Sequence, residues 1–157
     1  MVNIGYLPQE EEQRLVNFDF KRVHLNPLLS KERIVELRGA ISDHVFLHER
    51  LGQYIQQLVA ATRPYNPDTD WNQRSPSELV ERGVDLGASP RAIICWGRLA
   101  KTWALLEKQR TEVYPEDIQD LAPYILGHRI WLGPHASSHG LTTSLVISDI
   151  LERVPIP

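Results

Sequence analysis

The stretch LGASPRAIICWGRLAKTWALLEKQR, Leu86 to Arg110, reads as one long amphipathic helix with a defined start. Ser89 is a preferred N-cap, and Pro90 sits at the first helical position, where its missing N–H costs nothing and its fixed φ suits the helix. Ala92, Trp96, Leu99, Trp103 and Leu106 recur at four- and three-residue steps, which predicts one apolar stripe facing a core. Arg91 lies off that stripe in the first turn, where backbone N–H groups lack intrahelical partners and the helix dipole is positive. A cation placed against the dipole suggests an anion in front of both, most naturally a phosphate. The plainer alternative is a solvated surface arginine, since helix-terminal charges commonly do nothing specific.

The rest of the composition fits an ordinary soluble globule. A chain of 157 residues with 42% hydrophobic content can hold one domain with a sizeable core. A net charge of −3 gives no broad basic field, so nucleic acid is not implied as a partner. No apolar run approaches the length of a spanning helix, and MVNIGYLPQEEEQRL lacks the basic and apolar regions of a signal peptide, so neither membrane nor export is implied and a cytoplasmic protein is expected. The single cysteine, Cys95, excludes an internal disulfide; beside the apolar stripe, it is expected to be a buried structural thiol.

Along the chain, helices are expected in succession. Val2 and Ile4 alternate with polar neighbours before Gly5 and Pro8, a strand-like remnant with no comparable partner downstream, as if torn from a sheet in a missing upstream part. The run PQEEEQRLVNFDF predicts a short helix with acids in its first turn. Ser30 caps a helix through Ser42 whose Ile34, Leu37 and Ile41 are expected to face the core. LHERLGQYIQQLVAATRP places Leu51, Tyr54, Ile55, Leu58, Val59 and Thr62 on one side of another, stopped by Pro64. Residues 65–83 read as a long polar surface loop with at most a turn of helix in SPSELVERG. Pro115, Glu116 and Asp117 open a helix that buries Ile118, Leu121, Ile125 and Leu126 and that Pro123 is expected to break or kink. Residues 133–140 read as a flexible connection. Thr142 to Val154 form a last amphipathic helix with Leu145, Val146, Ile150 and Leu151. The fold class that follows is all-α, a helical bundle.

Little autonomous chemistry is legible. No G-x-x-x-x-G-K-[ST] phosphate loop is present, so the chain cannot by itself cradle a triphosphate and its magnesium. The pairs His44/His48 and His135/His139 have zinc-ligand spacing but lack a third ligand nearby, so no metal is expected. Glu116 and Asp117 are better read as dipole partners than as general acids. Trp71, in the loop, is the tryptophan best placed for an exposed contact.

Several stretches together resemble a known family, the C-terminal lid of MoxR-type AAA+ ATPases. IGYLPQEEEQRL (4–15) resembles the segment leaving the ATPase core, YIQQLVAATR (54–63) the lid helix before the signature, and DLGASPRA (85–92) the sensor 2 motif. YPEDIQDLAPYILGHRI (114–130) resembles the next lid helix and ILERVPIP (150–157) the family's C-terminal end. The resemblance implies that Arg91 is the sensor 2 arginine, reaching the γ-phosphate, with Gly87, Ser89 and Pro90 beside it in the nucleotide site. It further implies residues 1–28 as linker and short helix leaving a missing core, residues 29–157 as the lid with its long loop at 64–85, and ATP with Mg held mainly by that core. The partners it implies are the AAA+ core of the same polypeptide, neighbouring subunits of a homo-hexamer and a client protein remodelled in chaperone fashion. Two departures stand out: Tyr114 replaces the family's usual capping Thr, and the 64–85 loop is longer than usual. The rival reading is a free-standing helical interaction module that binds a protein through the loop around Trp71 and never meets nucleotide.

Overall fold

Amphipathic periodicity becomes a set of helices in the computed structural model, which describes residues 5–19, 23, 25–68 and 74–157. In chain order they are α1 (Gln9–Leu15), α2 (Lys31–His44), α3 (Glu49–Ala61), α4 (Glu78–Gly83), α5 (Arg91–Leu106), α6 (Pro115–Leu126), α7 (Pro134–Ser138) and α8 (Thr143–Arg153). Two short strands, β1 (Val84–Leu86) and β2 (Trp131–Leu132), pair antiparallel, with Val84 opposite Leu132 and Leu86 opposite Trp131. The fold is the expected helical one, with this small sheet added. Strands of three and two residues are too short to show a period, which is why no strand pair was expected here. The strand-like remnant at Val2 and Ile4 lies outside the described residues.

The chain divides into two compact units, Val2–Gly39 and Ala40–Pro157. In the first, α1 follows Pro8 with Glu10, Glu11 and Glu12 in its opening turn and buries none of its residues. Ser30 Oγ accepts from Arg33 N–H at 3.1 Å, the expected cap of α2. The expected core face of that helix is absent: α2 buries no residue, Ile34 and Leu37 are 46% and 36% exposed, and only Ile41, inside the second unit, packs partly on the core.

The core belongs to residues 40–157 and is built by α3, α5, α6 and α8. All six positions assigned to the buried side of α3, Leu51, Tyr54, Ile55, Leu58, Val59 and Thr62, are buried. Helix α5 buries Ala92, Trp96, Ala100 and Ala104 completely, whereas Leu99 and Trp103 are half-buried and Leu106 is 69% exposed. The apolar stripe is therefore rotated from its expected line towards the small residues. Alanines every fourth position let α5 lie close against α6, its most extensive neighbour. Trp96 fills the interior between them, its indole N–H donating to Ile118 O at 3.2 Å.

Helix α6 begins at Pro115 and buries Ile118, Leu121, Ile125 and Leu126 as expected. Pro123 does not break it. The proline is exposed near the C-terminal end, so its ring meets solvent, and Gly127 N–H closes the last turn onto Pro123 O at 3.0 Å. Tyr114, in place of a capping Thr, gives the start of α6 no side-chain cap. Asp117 supplies the reciprocal half of a capping box, accepting from Tyr114 N–H at 2.8 Å.

Order also extends into two stretches read as loops. Ser77 Oγ accepts from Val80 N–H and caps α4, and the Glu81 carboxylate accepts from the N–H groups of Tyr65 and Ser75, closing the described ends of the 64–85 loop. In the connection at 133–140, α7 packs against α4. Thr142 caps α8 through Leu145 N–H; Val146, Ile147 and Ile150 are buried, Leu151 is half-buried, and Leu145, expected inside, is 53% exposed. Among the described residues no helix is long and apolar enough to cross a membrane.

Candidate functional site

The N-terminal end of α5 is held by the C-terminal end of α3. Beyond Ala61, Thr62 folds back, its hydroxyl donating to Val59 O at 2.7 Å and accepting from Ala88 N–H at 2.8 Å. The next residue, Arg63, donates from Nε to Ala88 O at 2.9 Å. One residue of the signature loop is thus gripped at both backbone polar groups by two consecutive residues of the preceding helix end. Thr62 is wholly buried and Ala88 nearly so, which makes these bonds hard to replace with water. Partial burial lowers the pKa of Arg63 without neutralising a guanidinium at any ordinary pH.

Gly87 fits the same contact. A Cβ there would run into the carbonyl of Thr62 and lie 2.8 Å from Arg63 Cα, so only glycine lets the two backbones approach this closely. The glycine of the signature thereby has a structural reason independent of any ligand. The expected side-chain cap of α5 by Ser89 is absent; the helix starts with Pro90 in helical conformation and no side-chain cap. Instead Ala92 N–H turns back to Ser89 O at 2.9 Å and Ile93 N–H to Pro90 O at 3.1 Å. Tight turns of this kind use up part of the orphan donors that a bare helix start would offer an anion.

The free charge at this end is Arg91. It is exposed, and among the described residues its guanidinium has no hydrogen bond and no acidic partner. Some other cations are paired, Arg110 with Asp117 at 2.7 Å, Arg153 with Asp149 at 2.9 Å and Lys108 with Asp120 at 3.4 Å, whereas Arg98, further along α5, is exposed and unpaired among the described residues as Arg91 is. Gly87, Ser89, Pro90 and Arg91 fall within five consecutive residues, so the structure keeps the four at one end of one helix, with Gly87 half-buried and Ser89, Pro90 and Arg91 exposed. Chemically such an end can offer a bidentate guanidinium donor to a phosphate or carboxylate on another body.

The other candidates resolve as structural or peripheral. Asp117 is fully buried and held between Arg110 and Tyr114 N–H, a cap rather than an acid in a cleft, and Glu116 is exposed beside it. His48 caps α3, its Nδ1 accepting from Arg50 N–H at 3.1 Å, and His139 Nδ1 lies 2.7 Å from His135 O. No group of three or more His, Cys, Asp or Glu suited to a metal occurs among the described residues. Cys95 is exposed, not buried: once the buried line runs through Ala92, Trp96 and Ala100, position 95 falls on the outer side of α5 with Arg91 and Arg98. Trp71 lies outside the described residues. Sequence alone does not point to Thr62 and Arg63, because a helix-end Thr followed by Arg carries no sign of a partner 25 or 26 residues downstream.

Residues 77–150 match the AAA lid domain family. Over 99% of its length the chain is 32% identical to the uncharacterised protein YeaC of Bacillus subtilis, covering 44% of that protein, and 29% identical to the chaperone MoxR1 of Mycobacterium tuberculosis, covering 39%. A crystal structure of a candidate ATPase from Cytophaga hutchinsonii superposes on 98% of the chain with a TM-score of 0.71 and 33% identity, the chain covering 45% of that molecule. The chain spans less than half the length of these relatives.

Proposed function

Since this chain carries an AAA lid domain of the MoxR type, we propose that it closes over ATP bound on a nucleotide-binding core of the same polypeptide and supplies Arg91 to the γ-phosphate. The observation that carries this reading is the exposed, unpartnered guanidinium at the start of α5, on a helix end fixed firmly to the body of the domain. ATP and magnesium belong mainly to the core, which this chain does not supply: it contains no phosphate loop. What its own residues contribute is a positioned cation. In phosphoryl transfer, charge spreads over the oxygens of the transferred group, and a guanidinium set against them stabilises that charge without any proton movement.

The same position makes Arg91 a reporter of nucleotide state. Its contact exists with ATP and is lost when the γ-phosphate leaves, so the lid is drawn towards the core in one state and released in the other. Through that movement the lid signals to neighbouring subunits of a homo-hexamer in the cytoplasm and drives chaperone-like remodelling of a client protein.

The test is hydrolysis in a polypeptide carrying the core and this lid. Arg91→Ala should lower turnover by about 10²-fold or more, as expected when a positioned cation facing the transferred phosphate is removed. Arg98, also exposed on α5, lies roughly 10 Å further along the axis, too far to substitute, and Arg98→Ala is the matched control. Equal losses from the two substitutions would refute the assignment.

A further inference from the structure

We propose that Thr62 and Arg63 are positioning residues that set the place of Arg91 by fixing Ala88 to the end of α3. This rests on the reading of Arg91 as the γ-phosphate contact and adds the part of the lid that aims it. Arg91 has no side-chain partner among the described residues, so what fixes it is the backbone on which it stands. That backbone meets the body of the domain just upstream. Thr62 Oγ1 accepts from Ala88 N–H at 2.8 Å, Arg63 Nε donates to Ala88 O at 2.9 Å, and the Thr62–Arg63 backbone leaves no room for a side chain at Gly87. The Ala88 methyl is buried in the core, and from Ala88 only Ser89 and Pro90 intervene before Arg91.

A threonine at a helix end that bonds back to its own helix is ordinary, and Thr62 does this through Val59 O. Its second bond spans 26 residues, and the adjacent arginine directs one of its five N–H donors, on Nε, to the carbonyl of the same distant residue. Two consecutive side chains converging on one peptide fix both the position and the direction of the loop. Movements of about 1 Å in a catalytic group can cost two orders of magnitude in rate, so such a clamp matters to hydrolysis well before it matters to folding.

The experiment uses the core-bearing polypeptide and follows kcat and KM for ATP in a double-mutant cycle. Thr62→Val, close in shape but without the hydroxyl, should lower kcat about 10- to 100-fold, and Thr62→Ser, which restores the hydroxyl, should recover most of it. In an Arg91→Ala background Thr62→Val should lower kcat no further, because the group it positions is gone. Circular dichroism checks folding; if Thr62→Val fails to fold, Arg63→Met, which keeps the stem and removes the donor, should give the same non-additive pattern. Equal losses from Thr62→Val in the wild-type and Arg91→Ala backgrounds would mark general structural damage and overturn the proposal. So would an unchanged kcat in Thr62→Val alongside a large loss in Arg91→Ala, an outcome that leaves the reading of Arg91 intact. If Arg91→Ala itself leaves hydrolysis unchanged, the γ-phosphate reading fails and the positioning role fails with it.

Discussion

Asp117 offers a quantitative test of the packing that carries the site. Its carboxylate is fully buried, accepts from Arg110 at 2.7 Å and from Tyr114 N–H at 2.8 Å, and caps α6, the helix on which α5 lies. Removing one partner of a buried ion pair costs about 3–5 kcal/mol, and losing an N-cap about 0.5–2 kcal/mol. The Arg110 side chain is 26% exposed, so water reaches it once it is orphaned and the lower part of the sum applies. Arg110 also keeps its stacking over the Tyr114 ring, 4.0 Å from the centroid. Asp117→Ala should therefore destabilise by about 3.5 kcal/mol, which for a chain of this size lowers Tm by about 7–14 °C. The assay is thermal unfolding followed by circular dichroism, with the exposed neighbour Glu116→Ala as control, expected within about 1 kcal/mol of wild type. Equal shifts in the two variants would refute the assignment of Asp117 as a buried cap.

Three further outcomes follow from burial and charge. Trp96→Ala should cost about 3–5 kcal/mol in chemical denaturation, whereas Leu106→Ala should stay within about 0.5 kcal/mol; the reverse order would restore the unrotated stripe on α5. Cys95 should react with a water-soluble maleimide in the native protein at a rate close to that of the unfolded chain, and protection until unfolding would place it inside. Asp149 loses solvation on burial, which raises its pKa, but hydrogen bonds from Ser77 and Arg153 outweigh this and leave it below the usual value. A depressed native pKa contributes stability above the unfolded pKa, about 3.9, and loses it as pH falls through the native value. Asp149→Asn should thus cost about 1–2 kcal/mol at pH 7, with the gap to wild type closing below about pH 4; a gap independent of pH would count against the charge.

The fold was legible wherever large apolar residues mark a face. On α3 and its C-cap the buried set is Leu51, Tyr54, Ile55, Leu58, Val59, Ala61 and Thr62, and periodicity identifies all of it but Ala61. On α5 bulk points to Leu99, Trp103 and Leu106, while the helix packs by closeness through Ala100 and Ala104. That rotation also accounts for Cys95. Alternation cannot reveal β1 and β2, which are too short to have a period, and α7 follows from contact with α4 rather than from its own pattern. On α2, Ile34 and Leu37 form a face without a core to meet, showing that amphipathicity states a preference and not a partner. Of the candidate site, what is legible is the exposed place of Arg91 in the first turn of α5, where its charge opposes the helix dipole. The grip of Thr62 and Arg63 on Ala88 was not, because it joins segments that only the tertiary fold brings together.

The claim that Arg91 meets the γ-phosphate is tested most directly by nucleotide discrimination. In a polypeptide carrying the core and this lid, dissociation constants for ADP and for a non-hydrolysable ATP analogue are measured with Arg91 and with Arg91→Ala. Loss of a charge-assisted bond worth about 1.5–3 kcal/mol should weaken the ATP analogue by about 10- to 100-fold while ADP binding stays unchanged. Equal weakening of both nucleotides, or of neither, would contradict a contact to the γ-phosphate.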